Sequence, residues 1–201
     1  MEFLFWGINI FFAIYFLPCS CISMKIFFWL AIIFFPEIFS AVQNNSLIDW
    51  SADRKLSWDD FKQRPDPSSP NAALTSSVIK YDFGYNTADG LTFHIHCQFD
   101  KEKSWGRSKT DYILSHEQGH FDIAEIFARK LNKAFKEYTP TPNIKKEINK
   151  IYADLMHELQ ATQDQYDKET NFSINRPQQE EWLKKIKDQL KEWEAYANYG
   201  N

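Results

Sequence analysis

The sequence predicts an α+β fold, in which a small antiparallel sheet packs against a helical part. Two observations support this class. Segments with strand-like alternation are confined to residues 72–100, whereas the chain from about residue 109 onward has helical periodicity. Strands and helices in separate blocks are typical of α+β domains and not of alternating α/β folds.

The first 41 residues differ in composition from the rest and are predicted to form a leader. Read from Met24, the segment has one lysine, an apolar run over 26–35 and a small-residue cleavage site ending at Ala41. This order is typical of a secretory signal peptide. We therefore expect a true start at Met24, a single mature domain over 42–201, and export to the periplasm, the cell envelope or the medium. The alternative is an uncleaved leader that associates the protein with a membrane, although each apolar run is shorter than the roughly 20 residues that span a bilayer.

Composition narrows the classes of partner. The chain has 23 basic and 27 acidic residues, and its formal net charge is −4. This mild acidity offers no electrostatic reason to bind nucleic acid. Cys97 is the only cysteine after the leader, which leaves no intramolecular disulfide. It lies on the apolar side of an alternating segment and is predicted to be a small buried hydrophobe.

The strand block follows a tryptophan-rich segment, 46–64, and the loop "PDPSSPN". One strand is predicted over 73–83, then a turn at "NTADG", then a strand over 91–100 that alternates strictly. The polar face of the latter holds His94 and His96. A surface strand is the default interpretation of these histidines. The alternatives are a cleft edge that pairs with an extended peptide, or a separate metal site.

Three helices are expected over about 109–138, 143–170 and 177–197, with ends accurate to about 2–4 residues. A Pro-Thr-Pro segment separates the first two, and "NFSINRP" separates the last two. His157 projects away from the apolar stripe of the second helix and is expected at the surface.

The first predicted helix contains H-E-x-x-H within "LSHEQGHFDIAE". At about 100° per residue, His116 and His120 lie about 40° apart on one face, so both imidazoles can reach one metal ion. The apolar residues of the helix fall on the same side, whereas Asp122, Glu125 and Arg129 fall roughly opposite. The histidines are therefore expected to point into the protein.

Glu117 lies at the edge of the same face. Zinc lowers the pKa of a water molecule to about 7, and a carboxylate here could accept the proton. The alternative is two core histidines satisfied by backbone carbonyls, beside a solvated Glu117. Burying these groups without a common partner is costly, which favours zinc. Gly119, which costs about 1 kcal/mol in a helix relative to alanine, indicates close approach of another segment, such as a strand or a substrate.

A catalytic zinc site requires a third protein ligand. On the second helix Asp167 flanks the apolar stripe and Gln163 lies within it. Polar groups in such positions need partners, which a metal site provides. Asp167 is the first choice, with Glu169 and Glu158 behind it. The alternative is that Asp167 and Thr170 satisfy backbone groups at the helix end or pair with nearby basic residues.

Several separated blocks carry a family resemblance. They are "WSADRKLSWDDFK", "AALTSSVIKY", "SWGRSKTDYILSHEQGHFDIAEIFARKL", and "QDQYDKETNFS" followed by Gln179 and Trp182. In these blocks, which cover nearly all of the mature chain, the sequence resembles the bacterial domain of unknown function 922 family, whose members look like secreted zinc-dependent proteases. The resemblance implies a zincin-like arrangement, with His116 and His120 as zinc ligands and Glu117 as catalytic base.

The family's second motif resembles Y-D-x-x-T-x-H, which maps onto Tyr166, Asp167 and Thr170. This chain departs from it at the last position, where Phe172 replaces the histidine. If that histidine were the third ligand, the chain could not hold zinc in the same way. If Asp167 is the ligand, the change is tolerated.

These inferences predict an exported zinc-dependent metallopeptidase that acts on a peptide or protein substrate. Zn²⁺ would be held by His116, His120 and Asp167, and Glu117 would deprotonate the attacking water. The oxyanion of the tetrahedral intermediate needs a hydrogen-bond donor, for which Tyr166 is the candidate. One alternative is an envelope binding protein that keeps the zincin-like scaffold without activity, and another is a membrane-anchored interaction protein.

Overall fold

A computed structural model describes residues 46–199 of the 201-residue chain. They belong to one compact unit, Val42–Asn201, whereas the predicted leader and its cleavage site lie outside the described residues. The elements, in order, are β1 (Leu47–Asp49), a short 3-10 helix (Trp58–Asp60), β2 (Ala73–Leu74), β3 (Ser77–Asn86), β4 (Gly90–Asp100), β5 (Trp105–Gly106), α1 (Asp111–Glu137), α2 (Ile144–Thr170), α3 (Arg176–Glu192) and a second 3-10 helix (Glu194–Tyr196). The predicted α+β class is confirmed.

The strands form two small antiparallel sheets, one in the order β1-β4-β3 and one made of β2 and β5. The predicted turn joins β3 to β4: the side-chain oxygen of Asn86 accepts the amides of Ala88 and Asp89 at 2.9 and 2.7 Å. Gly90 ends the turn at a φ of 75°, a conformation that glycine adopts without strain. Cys97 is 2% exposed on the apolar face of β4, as its alternation predicted.

The single strand predicted over 73–83 is wrong in one respect, because the structure divides it into β2 and β3. The division falls at Ser76, whose amide donates to the hydroxyl of Ser104 at 2.9 Å. Its carbonyl accepts the amide of Asp100 at 2.8 Å. The chain therefore stops pairing with β5 and begins to pair with β4.

The three predicted helices are confirmed, and only the end of α3 differs clearly. This helix stops at Glu192, whereas the sequence predicted an end near residue 197. The tail turns back towards α1, where the amide group of Asn132 donates to the carbonyl of Tyr196 at 2.8 Å. Within residues 46–199, no helix combines bilayer-spanning length with the apolar composition that a membrane crossing requires.

Helix α1 lies against the apolar face of the larger sheet. The ring centroids of Phe99 and Phe121 are 5.8 Å apart, and Phe135 packs edge-on against Phe93 and Tyr81 at 5.2 and 5.4 Å. Aromatic pairs at these separations add to the stabilisation from burial alone. The sheet thereby holds one side of the helix that carries the histidines.

The side of α1 opposite the histidines is also buried, although the helical wheel placed Asp122, Glu125 and Arg129 away from the interior. Glu125 is 1% exposed and forms a 2.7 Å ion pair with Arg129. Arg129 also donates to the carbonyl of Leu190 at 2.6 Å, and Tyr199 donates to Glu125. The end of α3 and the tail therefore cover this face.

Candidate metal site and cavity

His116 and His120 lie near the start of α1. The hydroxyl of Thr110 accepts the amide of Ile113 at 3.2 Å and caps the first turn of the helix. The two imidazoles lie one turn apart, with ring centroids 4.8 Å from each other. His116 is 3% exposed, which agrees with the predicted inward orientation.

Asp167, near the end of α2, completes a triangle with the two histidines. Its Oδ1 lies 3.0 Å from the Nε2 atoms of both His116 and His120, and these two nitrogens are 3.2 Å apart. Tetrahedral zinc with bonds of about 2.0–2.1 Å separates its ligands by about 3.3 Å. Among the described residues, this is the one group of three or more His, Cys, Asp or Glu side chains close enough to hold a metal ion. The three predicted ligands are thus brought together.

Gln163 orients the ring of His120. Its Oε1 accepts a hydrogen bond from Nδ1 of His120, and its Nε2 donates to the backbone carbonyl of the same residue at 2.9 Å. An amide oxygen can only accept, so Nδ1 of His120 carries a proton. Nε2, which faces Asp167, is then the ring nitrogen that would give up its proton to bind a cation. Metal-binding histidines are commonly oriented by a hydrogen bond of this kind at the second ring nitrogen.

The charges around the triangle favour a cation. Burial acts to raise the pKa of Asp167, but the hydrogen bonds and charges of His116 and His120 outweigh it and hold the pKa well below its usual range. Burial acts to lower the pKa of His120, but Asp167 and Glu117 raise it overall. Asp167 therefore stays ionised beside the two imidazoles.

Glu117 lies beside the triangle and is 3% exposed, so it is not solvated. Its Oε2 is buried without a hydrogen-bond partner in the part of the chain that the structure describes. Burial raises the pKa of Glu117 above its ordinary value, and the charge of His120 offsets this only in part. A buried carboxylate oxygen without a partner is costly unless another group completes the site.

Tyr166 packs against the ring of His116. Its ring stacks on the imidazole at a centroid distance of 4.5 Å, and its hydroxyl donates to the carbonyl of His116 at 3.3 Å. A Cβ at Gly119 would lie 2.5 Å from that hydroxyl oxygen, which explains the mid-helix glycine. The close approach predicted at Gly119 is confirmed, and the neighbour is helix α2, not a strand or a substrate.

A cavity of about 380 Å³ opens onto these groups. Residues 71–77, which include β2, border it, as do α2 and the loop that follows α2. Sequence reasoning missed residues 71–77, because only a tertiary contact places them here: the hydroxyl of Thr75 donates to the carbonyl of Glu117 at 3.2 Å. The residues lining the cavity are Asn71, Ala72, Ala73, Leu74, Thr75, Ser76, Ser77, His116, Glu117, His120, Leu159, Gln160, Gln163, Asp164, Asp167, Phe172 and Ser173.

The weaker acidic candidates lie outside the triangle. Glu158 and Glu169 are exposed, and Glu169 accepts the indole N–H of Trp182 at 2.7 Å. Thr170 satisfies a backbone carbonyl near the end of α2, since its hydroxyl donates to the carbonyl of Tyr166 at 2.7 Å. Of the two interpretations of the second motif, the backbone role therefore fits Thr170 and the ligand role fits Asp167.

The other histidines also lie apart from the cavity. His157 is exposed, as predicted. His94 and His96 occupy the exposed face of β4, where their Nδ1 atoms lie 3.0 Å from Asp82 and 4.0 Å from Asp49 respectively. They do not line the cavity that holds the triangle, although His96 borders a second cavity with Asp49 and Tyr199. The surface interpretation fits the structure, and a role for this strand at the edge of the triangle's cavity does not.

Phe172, at the position where the motif that this segment resembles has a histidine, borders the same cavity and is 48% exposed. Its backbone φ is 51°, and the flanking Asn171 and Ser173 also have positive φ values. The triangle of His116, His120 and Asp167 is complete without a contribution from this position.

The sequence was also compared with known proteins. A family model described as "Bacterial protein of unknown function (DUF922)" matches residues 55–173, more than half of the chain. The matched range contains the triangle, Glu117 and the cavity-lining segment 71–77, and it ends before α3. No curated protein and no solved structure gave a significant match.

Proposed function

This chain belongs to the DUF922 family of bacterial proteins of unknown function, as its sequence blocks predicted, and we propose that it is an exported zinc-dependent metallopeptidase. One observation carries the proposal: His116, His120 and Asp167 present three ligand atoms 3.0–3.2 Å apart, beside a buried glutamate and an open cavity. Catalytic zinc sites have three protein ligands and one open position.

The donor set suits zinc. Imidazole nitrogens and carboxylate oxygens are both common zinc ligands, whereas calcium and magnesium prefer sites made of oxygen atoms alone. The separations of 3.0–3.2 Å are close to those of a tetrahedral zinc site. The hydrogen bond from His120 to Gln163 prepares Nε2 to bind a cation without further rearrangement.

In this proposal Glu117 is the general base. Zinc bound in such a site acts as a Lewis acid that polarises a carbonyl group and lowers the pKa of water to about 7. The unpartnered Oε2 of Glu117 accepts the proton of the attacking water and then delivers it to the leaving amine. A raised pKa suits both steps, because a general base works best when its pKa approaches the working pH.

The role of Tyr166 as the oxyanion donor stays a prediction. Tyr166 is fully buried behind His116, and its hydroxyl donates to a backbone carbonyl. In this proposal the same contact also holds His116 in place. The expected substrate remains a peptide or protein, and export through the N-terminal leader remains part of the proposal.

The metal site is tested by zinc content, measured by elemental mass spectrometry on the purified protein. We expect one zinc per chain, lost in His120→Ala and in Asp167→Ala. Asp164→Ala is the matched control, because Asp164 lies on the same helix and lines the same cavity but is outside the triangle. If Asp167→Ala retains its zinc, Asp167 is not a ligand.

Catalysis is tested separately with Glu117→Gln. This variant should keep one zinc per chain and lose peptide hydrolysis, because the amide cannot accept the proton from water. Hydrolysis that persists in Glu117→Gln would contradict the mechanism.

The second candidate function is that of a binding protein that keeps the scaffold without activity. Phe172, in place of the family's histidine, is the observation that favours it. An unsubstituted protein that binds no zinc even after reconstitution would support this alternative, and so would a zinc-loaded protein that hydrolyses no peptide.

A further inference from the structure

Two exposed apolar side chains border the cavity from separate parts of the chain. Leu74 on β2 is 38% exposed, and Phe172 in the loop after α2 is 48% exposed. Residues 46–199 contain only two other exposed large hydrophobic residues, Tyr85 and Ile174, and neither lines the cavity. Exposed apolar groups beside a concave site are typical of surfaces that contact a ligand.

Phe172 holds its position in a backbone conformation that does not favour it. Its φ of 51° lies in the left-handed region, which is disfavoured for bulky side chains. The turn is maintained by the amide of Phe172, which donates to the carbonyl of Asp167 at 2.9 Å. An exposed aromatic residue in a disfavoured backbone conformation beside the cavity is more consistent with a role in binding than with a role in packing.

Strand β2 pairs with β5 on one edge, and main-chain groups on its opposite edge can form further hydrogen bonds. The carbonyl of Ala72 accepts the amide of Arg107 at 2.8 Å, and Ala73 pairs with Gly106 in the antiparallel register. Since N–H and C=O groups alternate in direction along a strand, those of Ala73 point away from β5. Residues 71–77 line the cavity, so an extended chain lying in it can reach the N–H and C=O groups of Ala73.

The cavity offers an acidic chain no cationic side chain to pair with. The described residues that line it include the carboxylates of Glu117, Asp164 and Asp167 but no lysine or arginine. A zinc ion at the triangle would offset the charge of these carboxylates, so the preference rests on contact area. An apolar side chain would cover Leu74 and Phe172, whereas an acidic side chain would lose water there without gaining a partner.

We propose that the cavity binds an extended peptide with a large apolar side chain next to the peptide bond that is cleaved. That side chain packs against Phe172 and Leu74. The inference deepens the proposed function, since it rests on that function for the reaction and adds the substrate class. Phe172 is then a specificity-determining residue, and the change from the family's histidine alters the substrate without removing a metal ligand.

The test uses short dye-labelled peptides of one sequence whose central residue is leucine, serine or glutamate. Fluorescence anisotropy measures their binding to zinc-loaded Glu117→Gln protein, and mass spectrometry measures their cleavage by the unsubstituted protein. We expect the leucine peptide to bind about tenfold or more tightly than the other two, because only its central side chain buries a large apolar surface against Phe172 and Leu74.

Two further substitutions in the Glu117→Gln protein assign the preference to Phe172. Phe172→Asn removes the aromatic ring, and asparagine tolerates the left-handed backbone, so the turn should persist. This variant should bind the three peptides with affinities within about threefold of one another. Ile174→Asn removes a more exposed apolar side chain, 73% exposed and outside the cavity, and should keep the leucine preference. Zinc content and thermal unfolding confirm that each variant is folded.

The outcomes separate the inference from the function on which it rests. Equal affinity for the three peptides, no detectable binding, or a leucine preference that survives Phe172→Asn would each overturn the inference. Cleavage of all three peptides at similar rates would also overturn it, while supporting the peptidase function. Selective binding of the leucine peptide without cleavage would support the inference and contradict the peptidase function.

Discussion

Gln163 holds His120 through two hydrogen bonds, one at Nδ1 of the ring and one at the backbone carbonyl. In the proposed metal site this would leave Nε2 as the ligand atom. We predict that Gln163→Ala lowers zinc affinity about 10- to 100-fold, the usual effect of removing such a supporting group. The measurement is a competition titration against a chromogenic zinc chelator.

The control for this prediction lies one turn earlier on the same helix. Gln160 also lines the cavity, but its amide donates to Asp164 at 2.8 Å and not to a histidine. Gln160→Ala should therefore keep the affinity of the unsubstituted protein. If Gln160→Ala and Gln163→Ala lose the same zinc affinity, the effect comes from a general change in the cavity wall and not from the contact with His120.

Asp60 is a buried carboxylate outside the site, and its charge predicts a pH dependence of stability. Burial acts to raise its pKa, but hydrogen bonds from Ser57 at 2.9 Å and from Arg54 at 2.8 Å outweigh this and lower the pKa overall. The stabilisation from Asp60 is therefore present above the unfolded-state pKa, about 3.9, and is lost as the pH falls through the lower folded-state pKa.

We predict that Asp60→Asn reduces the free energy of unfolding by about 1–3 kcal/mol at pH 7 and by less at pH 3. Urea denaturation at the two pH values measures the difference. Asp59→Asn, at the exposed neighbouring position, should change stability by less than about 0.5 kcal/mol at either pH. A penalty for Asp60→Asn that is equal at both pH values would show that hydrogen-bond geometry, and not charge, is responsible.

At the scale of elements, α1 and α2 approach closely at Gly119 and Tyr166. Gly119→Ala should destabilise the protein by about 1–3 kcal/mol through overpacking, although alanine favours a helix by about 1 kcal/mol. In the Tyr166→Phe background the nearest clashing atom is absent, so the penalty should be smaller. A double-mutant cycle by chemical denaturation measures this coupling, and a coupling energy near zero would place the cost elsewhere.

The features of the elements that could be predicted from the sequence are those that depend on local periodicity. The shared face of His116 and His120 follows from the helical repeat, and the burial of Cys97 follows from alternation in a strand. The division of the predicted strand at Ser76 depends on Ser104, 28 residues away, and no local pattern reports such a partner. The same holds for β2, which borders the cavity through tertiary contacts alone.

At the scale of the whole molecule, α1 separates two polar regions. One side presents His116, His120 and Glu117 to the cavity. The other side buries Glu125, which the end of α3 and the tail cover. The helical wheel could not predict this second buried face, because its partners are far away along the chain. Trp50 donates to Asp122 at 2.7 Å, the carbonyl of Leu190 accepts from Arg129, and Tyr199 donates to Glu125. These contacts satisfy charges that would otherwise require solvent.

This division predicts that the tail contributes to stability and not to metal binding. Tyr199 donates to the buried carboxylate of Glu125, so Tyr199→Phe should lower the free energy of unfolding by about 1–3 kcal/mol. Zinc affinity should stay within about twofold, because the substitution lies on the side of α1 away from the triangle. Tyr85→Phe, at a tyrosine that is 46% exposed, is the matched control and should change neither quantity. If Tyr199→Phe weakens zinc binding under conditions where the protein remains folded, then the two faces of α1 are coupled, and the tail takes part in positioning the histidines.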